Sequence, residues 1–135
     1  MTEQNQSRTK AGKITYWIAT VWLALGMTST GIVQLMRMEE EVQMMDHLGY
    51  PIYFLTIIGV WKLLGAITIL IPKFLLLKEW AYAGFVFAMT GAIISHIAIS
   101  DGLMDLFGPT LLLVLTGISW YFRPTNRRLI PINTK

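Results

Sequence analysis

Residues 51–73 read PIYFLTIIGVWKLLGAITILIPK, an apolar run closed by Pro72 and Lys73 and interrupted by a single charge, Lys62. At about 1.5 Å of helical rise per residue, the stretch from Pro51 to Ile71 covers roughly the 30 Å of a bilayer's hydrocarbon core. A central lysine costs about 2.5–3.5 kcal/mol on insertion, whereas each Leu, Ile, Val or Phe returns about 0.3–0.6. The run carries twelve of the latter, so a gain on the order of 5 kcal/mol outweighs the lysine. Residues 51–71 therefore form a membrane-spanning helix, and Lys62 needs no ion-pair partner to enter it.

Working outward from this segment, three more apolar runs of spanning length appear at about 14–36, 80–100 and 103–122. The last must begin near Leu103, because Pro109 to Phe122 alone would cover only about 21 Å; Pro109 is expected to kink it or to cap a shorter inner helix. The first run follows Arg8, Lys10 and Lys13 as a secretory signal would, but it is longer than a signal core and reads as a retained span. Between the first two spans, Met38, Val42, Met45 and Leu48 recur at helical spacing among polar residues, which predicts a short amphipathic helix on the outer surface. Gly49 and Pro51 supply its stop and the restart of the chain. Lys78 and Glu79 read as the separator between the second and third spans, and Asp101-Gly102 as a tight turn before the fourth.

The 135-residue chain is 54% hydrophobic and 14% charged, with a mean hydropathy of +0.54. These values place it outside the soluble range and make it an all-α membrane protein. The expected organisation is a tail over 1–13, one four-transmembrane-helix bundle over 14–122 and a basic tail over 123–135. Orientation follows from the cations. Arg8, Lys10, Lys13, Lys73, Lys78, Arg123, Arg127, Arg128 and Lys135 fall at one side of a four-span arrangement, and Arg37 at the other. By the positive-inside rule both termini are cytoplasmic. Trp17, Trp80 and Trp120 at the inner ends, with Tyr50 and Tyr53 at the outer ends, match interfacial aromatic belts.

Several functions are disfavoured. The basic excess sits at helix ends, which speaks against nucleic-acid binding. With no cysteine the chain has no thiolate chemistry of its own and no Cys-ligated zinc or cluster. Its two histidines, His47 and His96, form neither a haem-ligand pair nor a compact metal motif. No nucleophile–base–orienter set or phosphate-cradling glycine motif is present, so an enzyme is disfavoured, although Glu40 or Asp105 could act as acid or base on a lipid-like substrate.

The candidate polar pocket centres on Lys62, because an ionisable residue at mid-membrane is expensive and marks a functional site by default. Gln34 at the end of span 1, His96 near the end of span 3, Asp105 in the first turn of span 4 and Glu40 beyond span 1 are its possible partners in the outer half of the bundle. The plainer alternatives are a snorkelling lysine and acids held in loops by water and helix dipoles. Gly84, Ala88, Gly91 and Ser95 form a small-residue stripe on span 3, read as a helix-packing surface. The methionines read as packing, not metal transport.

The segments Leu48-Gly49-Tyr50-Pro51, Gly59-Val60-Trp61-Lys62-Leu63-Leu64-Gly65, Lys78-Glu79-Trp80-Ala81-Tyr82-Ala83-Gly84 and Ser95-His96, set on four spans between about residues 14 and 122, resemble the DoxX-like family of small membrane proteins. The resemblance implies a four-helix bundle in a bacterial cytoplasmic membrane and a role for Lys62, His96 and Glu79, the last at the cytoplasmic end. Members are associated with oxidoreductase systems, including a thiosulfate:quinone oxidoreductase subunit. That implies an accessory or anchoring subunit with a membrane or peripheral oxidoreductase partner and a pocket for quinone or lipid. The competing expectation is a homo-oligomer that transports a small solute or protons through Lys62 and His96.

Overall fold

A computed structural model describes residues 3–124 and Arg127, with side chains from Lys10 onward. The chain forms α1 (Glu3–Leu35), α2 (Glu39–Leu48), α3 (Tyr53–Leu70), α4 (Leu75–Ala98) and α5 (Leu103–Tyr121), with no strand among the described residues. Four segments are long and apolar enough to cross a membrane: Lys10–Leu35, Tyr53–Leu70, Leu75–Ala98 and Leu103–Tyr121. The remaining helix, α2, is the amphipathic one that the spacing of Met38 to Leu48 predicts. Of the basic tail over 123–135, only Arg123, Pro124 and Arg127 lie within the described residues.

α1 packs on α3 and α5, and α4 packs on the same two helices, so the four spans close into a ring in sequence order. The short links at 71–74 and 99–102 make neighbouring spans antiparallel. The start of α1 and the end of α5 therefore share one end of the bundle, and α2 lies at the opposite end with the α4–α5 turn. Tyr16, Leu23, Met27, Leu55, Ile69, Phe85, Met89 and Leu115 are buried inside, whereas Trp22, Leu25, Leu64, Phe87 and Ile94 face outward. So much apolar exterior suits lipid as the surrounding solvent and would be a liability in water.

One element boundary departs from the apolar pattern. α4 starts at Leu75, so Lys78 and Glu79 stand in its first two turns instead of in a separating loop. The reversal needs only Ile71 to Phe74, with Lys73 and Phe74 both left-handed (φ 68° and 52°). α5 runs from Leu103 with Pro109 inside it, as the 21 Å argument requires. Pro109 lacks the N–H that would bond the carbonyl four residues earlier. α2 ends at Gly49 in a left-handed conformation (φ 83°); the Gly49 N–H bonds Asp46 O at 3.2 Å and the Tyr50 N–H bonds Met45 O at 2.9 Å. This is a Schellman-type cap that a glycine adopts without strain.

α1 and α3 approach each other closely at Gly31 and Gly59. A Cβ on Gly59 would stand 2.9 Å from Gly31 O and 2.9 Å from Leu35 Cγ, whereas one on Gly84 would meet nothing within 4 Å. Gly59→Ala is therefore expected to cost about 1–3 kcal/mol by overpacking. Gly84→Ala is expected to be neutral or to gain up to about 1 kcal/mol of helix propensity. Thermal unfolding of both variants in the same detergent distinguishes them.

Candidate functional site

Lys62 lies in the middle of α3 with its side chain turned inward, 7% exposed. Its Nζ donates to Thr30 Oγ1 of α1 at 3.3 Å. Thr30 in turn donates its own proton to Gly26 O at 2.9 Å, so its oxygen is free to accept. Among the described residues no carboxylate lies within 4 Å of the ammonium; the salt bridges present join His47 and His96 to Asp101, and Arg123 to Glu79. Thr30 supplies one weak, uncharged acceptor to a group that carries three donors.

Two cavities meet at this lysine, sharing Ile58, Lys62 and Ala88 in their walls. The larger, about 440 Å³, is a cleft between α3 and α4 lined by Trp61, Leu64, Thr68, Leu77, Trp80 and Gly84 among others. Trp61, Leu64 and Trp80 are also exposed on the outside of the bundle, so the cleft opens sideways toward lipid. The α3–α4 seam is the most sparsely packed of the four in the ring. The smaller cavity, about 180 Å³, lies beneath α2, with Met45 and Leu48 of that helix, Gln34, Tyr50, Phe54 and Ser95 around it. Ser95 donates to Gly91 O at 2.8 Å, so Tyr50 is the donor in its 2.6 Å bond to Ser95 Oγ.

Of the residues expected around Lys62, Gln34 shares its smaller cavity. Gln34 Nε2 donates to Glu41 Oε2 at 3.3 Å, and its Oε1 is buried with no donor. Glu40 is exposed on α2 and Asp105 is exposed in the first turn of α5; neither lines either of these two cavities. His96 is buried but turns away from both cavities to bond Asp101. The Gly84, Ala88, Gly91 and Ser95 stripe lines the two cavities: Gly84 and Ala88 wall the cleft, and Ala88, Gly91 and Ser95 the chamber beneath α2. An added Cβ at Gly84 or Gly91 would meet open space.

At the α2 end of the bundle, Asp101 accepts from His47 Nε2 at 2.8 Å and from His96 Nδ1 at 2.6 Å. It thereby ties the last turn of α2 to the last turn of α4. Among the described residues no set of three His, Cys, Asp or Glu side chains could hold a metal ion. The hydrogen bond and charge of Asp101 raise the His47 imidazole above its usual 6.5, and the bonds from His47 and then His96 hold the Asp101 carboxyl below 3.8. A raised histidine contributes stability below its unfolded value that is lost as pH rises through the folded one. A lowered carboxyl contributes above its unfolded value and loses that contribution as pH falls through the folded one. The clamp is therefore strongest in mildly acidic solution. The unfolding midpoint is expected to fall slightly between pH 6 and pH 9, by a small amount because His47 is open to solvent, and His47→Ala should flatten that slope.

The opposite end holds a second polar cluster, of which the resemblance implied only Glu79. α3 stops at Leu70 before Pro72, so its final carbonyls have no helical partner. Lys78, a residue only 1% exposed, donates from Nζ to Thr68 O at 2.7 Å and to Ile71 O. Arg127 donates to Ile69 O at 3.0 Å, Leu70 O at 3.1 Å and Ile71 O at 3.4 Å, and its guanidinium lies 4.7 Å from the Trp17 ring. Two cations thus cap the negative end of the α3 dipole. The available signal was the pairing of a proline stop with a lysine one short turn later. Glu79 pairs with Arg123 and accepts from Trp120 Nε1 at 3.3 Å, and Arg123 lies over the Tyr82 and Trp120 rings. Nearby, Ser119 bonds both Thr20 and Tyr82 through buried hydroxyls.

Comparison with curated proteins and with solved structures gave no match. The model of the DoxX-like family does match, over residues 18–119, a stretch that begins in α1, ends in α5 and includes every wall of both cavities; the chain belongs to the DoxX-like family.

Proposed function

We propose that this DoxX-like membrane protein is an accessory or anchoring subunit, of a redox system if it follows the family's associations, and that it holds a quinone- or lipid-like amphiphile beside Lys62. The observation that carries the reading is the position of the ammonium where two cavities meet, with one neutral acceptor in reach. A bound carbonyl or anionic oxygen would complete its hydrogen bonding, and an apolar tail would occupy the cleft between α3 and α4. The cleft volume lies within the range common for small-molecule sites.

Purification in mild detergent, followed by mass spectrometry of co-extracted small molecules and proteins, tests the reading. A stoichiometric amphiphile or a stable protein partner is expected; finding neither would reject it. Transport through Lys62 and His96 lacks comparable support, because His96 bonds Asp101 and lines neither cavity. The charge asymmetry supports cytoplasmic termini. A single cysteine placed at Glu40, in a chain that has none of its own, should then be labelled by an impermeant maleimide from outside the cell. Labelling only after lysis would reverse the orientation.

A further inference from the structure

We infer that a groove between α4 and α5, at the end of the bundle where α1 starts and α5 ends, binds a lipid of the adjoining leaflet whose head group carries a primary ammonium, with Glu79 as its acceptor. The groove measures about 300 Å³ and shares no wall residue with the two cavities at Lys62. Ala83 and Val86 of α4 form one side of it, and Gly117 and Trp120 of α5 the other. All four are exposed on the outside of the bundle, so the groove opens toward lipid. Because α4 starts at Leu75, Glu79 stands about 6 Å along the helix and Val86 about 10 Å further toward the bilayer centre. The charged mouth therefore lies near head-group depth and the apolar remainder points at the acyl region, the order in which a leaflet lipid presents its own parts.

The charge offered at this mouth is negative, although this end of the bundle is basic. From Lys10 onward, Glu79 is the only carboxylate here. Its partner Arg123 is turned inward: the Arg123 side chain is 6% exposed and that of Glu79 is 28% exposed. Arg123 donates from Nε to Trp120 O at 2.9 Å and from Nη1 to Glu79 Oε1, and the Tyr82 and Trp120 rings lie against its guanidinium. The second carboxylate oxygen accepts from Trp120 Nε1 at 3.3 Å. Two donors thus hold the carboxylate in place, and with about four lone-pair sites it can accept more. The hydroxyls in the groove wall are engaged elsewhere, Thr116 with Leu112 O at 2.7 Å and Tyr82 with Ser119 Oγ at 2.7 Å. An anchored anionic acceptor selects a cation with N–H groups to give, and a primary ammonium carries three.

The full chain in nanodiscs of phosphatidylethanolamine and phosphatidylcholine, in equal amounts with matched acyl chains, tests this by native mass spectrometry of the lipids retained on release. Both heads carry a phosphate and a cationic nitrogen, but only the first has N–H donors. The ethanolamine lipid is expected to be retained about three- to fivefold over the choline lipid, the scale of a partly exposed ion pair. A second preparation that pairs phosphatidylethanolamine with phosphatidylglycerol sets the ammonium against an uncharged hydroxyl donor, and the ethanolamine lipid should again be preferred.

Gly117→Leu should erase the preference at an unchanged unfolding midpoint. An added Cβ at Gly117 meets nothing within 4 Å, so the larger side chain fills the groove and leaves the Glu79–Arg123 pair intact. Glu79→Gln, which keeps the size of the side chain and removes its charge, should erase the preference as well. Equal retention by the wild type, a preference that survives either variant, or a preference for phosphatidylglycerol would each overturn the inference. None of these outcomes bears on the amphiphile at Lys62, so the proposed function stands or falls separately.

Discussion

Lys62→Met is expected to weaken amphiphile binding by about 10- to 100-fold, the loss of one charge-assisted hydrogen bond worth about 1.5–3 kcal/mol, without destabilising the ligand-free protein. The second half of this expectation follows from the environment. Lys62 has no counter-carboxylate within 4 Å among the described residues, and its bond to Thr30 is long at 3.3 Å. Methionine has a similar length and flexibility, fills the same volume and removes an insertion cost of about 3 kcal/mol. The unfolding midpoint without ligand should hold or rise. A lysine kept only for structure would behave in the opposite way, with a lower midpoint and no change in bound material. Quantifying the native amphiphile per protein by mass spectrometry, alongside thermal unfolding, separates the two.

The largest loss of stability is expected at the other end of the bundle. Lys78→Met removes two hydrogen bonds to the α3 terminus, and the carbonyls of Thr68 and Ile71 then face a low-dielectric seam with fewer donors. A hydrogen bond to a charged group contributes about 1.5–3 kcal/mol, and removing the ammonium also relieves its own burial, so a net loss of about 2–3 kcal/mol is expected. For a chain of this size that is a fall of roughly 10 °C in the unfolding midpoint. Arg127→Ala should cost a similar amount. Because both cations reach Ile71 O, the double variant should lose less or more than the two single losses added, a non-additivity that unrelated sites would not show. A midpoint for Lys78→Met within about 1 °C of wild type would mean that water already serves these carbonyls.

The four spans were legible because membrane insertion depends on length and hydropathy, both of which are local properties. α5 shows how far that goes: the bilayer thickness requires Leu103 to Gly108 to be included, and the helix begins at Leu103. The start of α4 was not legible in the same way. A Lys-Glu pair reads as water-exposed, yet Lys78 is buried because the helix it follows ends in unpaired carbonyls, and that geometry exists only once the turn has folded. Similarly, nothing in either α1 or α3 alone says that Gly31 meets Gly59, because the register between two helices belongs to the pair.

Within the site, Lys62 could be singled out from sequence because one charge in a long apolar run is conspicuous at any register. Gln34 joins it beneath α2, where Glu41 fixes the amide. His96 and Asp105 were grouped with Lys62 on depth alone, since both were expected in the outer half. Depth does not give direction around a helix. The Ser100 to Gly102 turn carries Asp101 back over His96, helped by a left-handed Ser100 (φ 60°), and that local bond takes the imidazole out of the pocket. The small-residue stripe on α4 shows the same distinction, because small side chains permit either a close helix or an open space. Here the space is taken by the two cavities.

The central proposal, an amphiphile seated at Lys62, is tested most directly by an experimental structure of the protein extracted from its own membrane without delipidation. The expected result is continuous non-protein density that runs from within hydrogen-bond distance of Lys62 Nζ along the cleft between α3 and α4, past Trp61 and Trp80. A cleft closed by those side chains, or filled by a helix from a second copy, would contradict it.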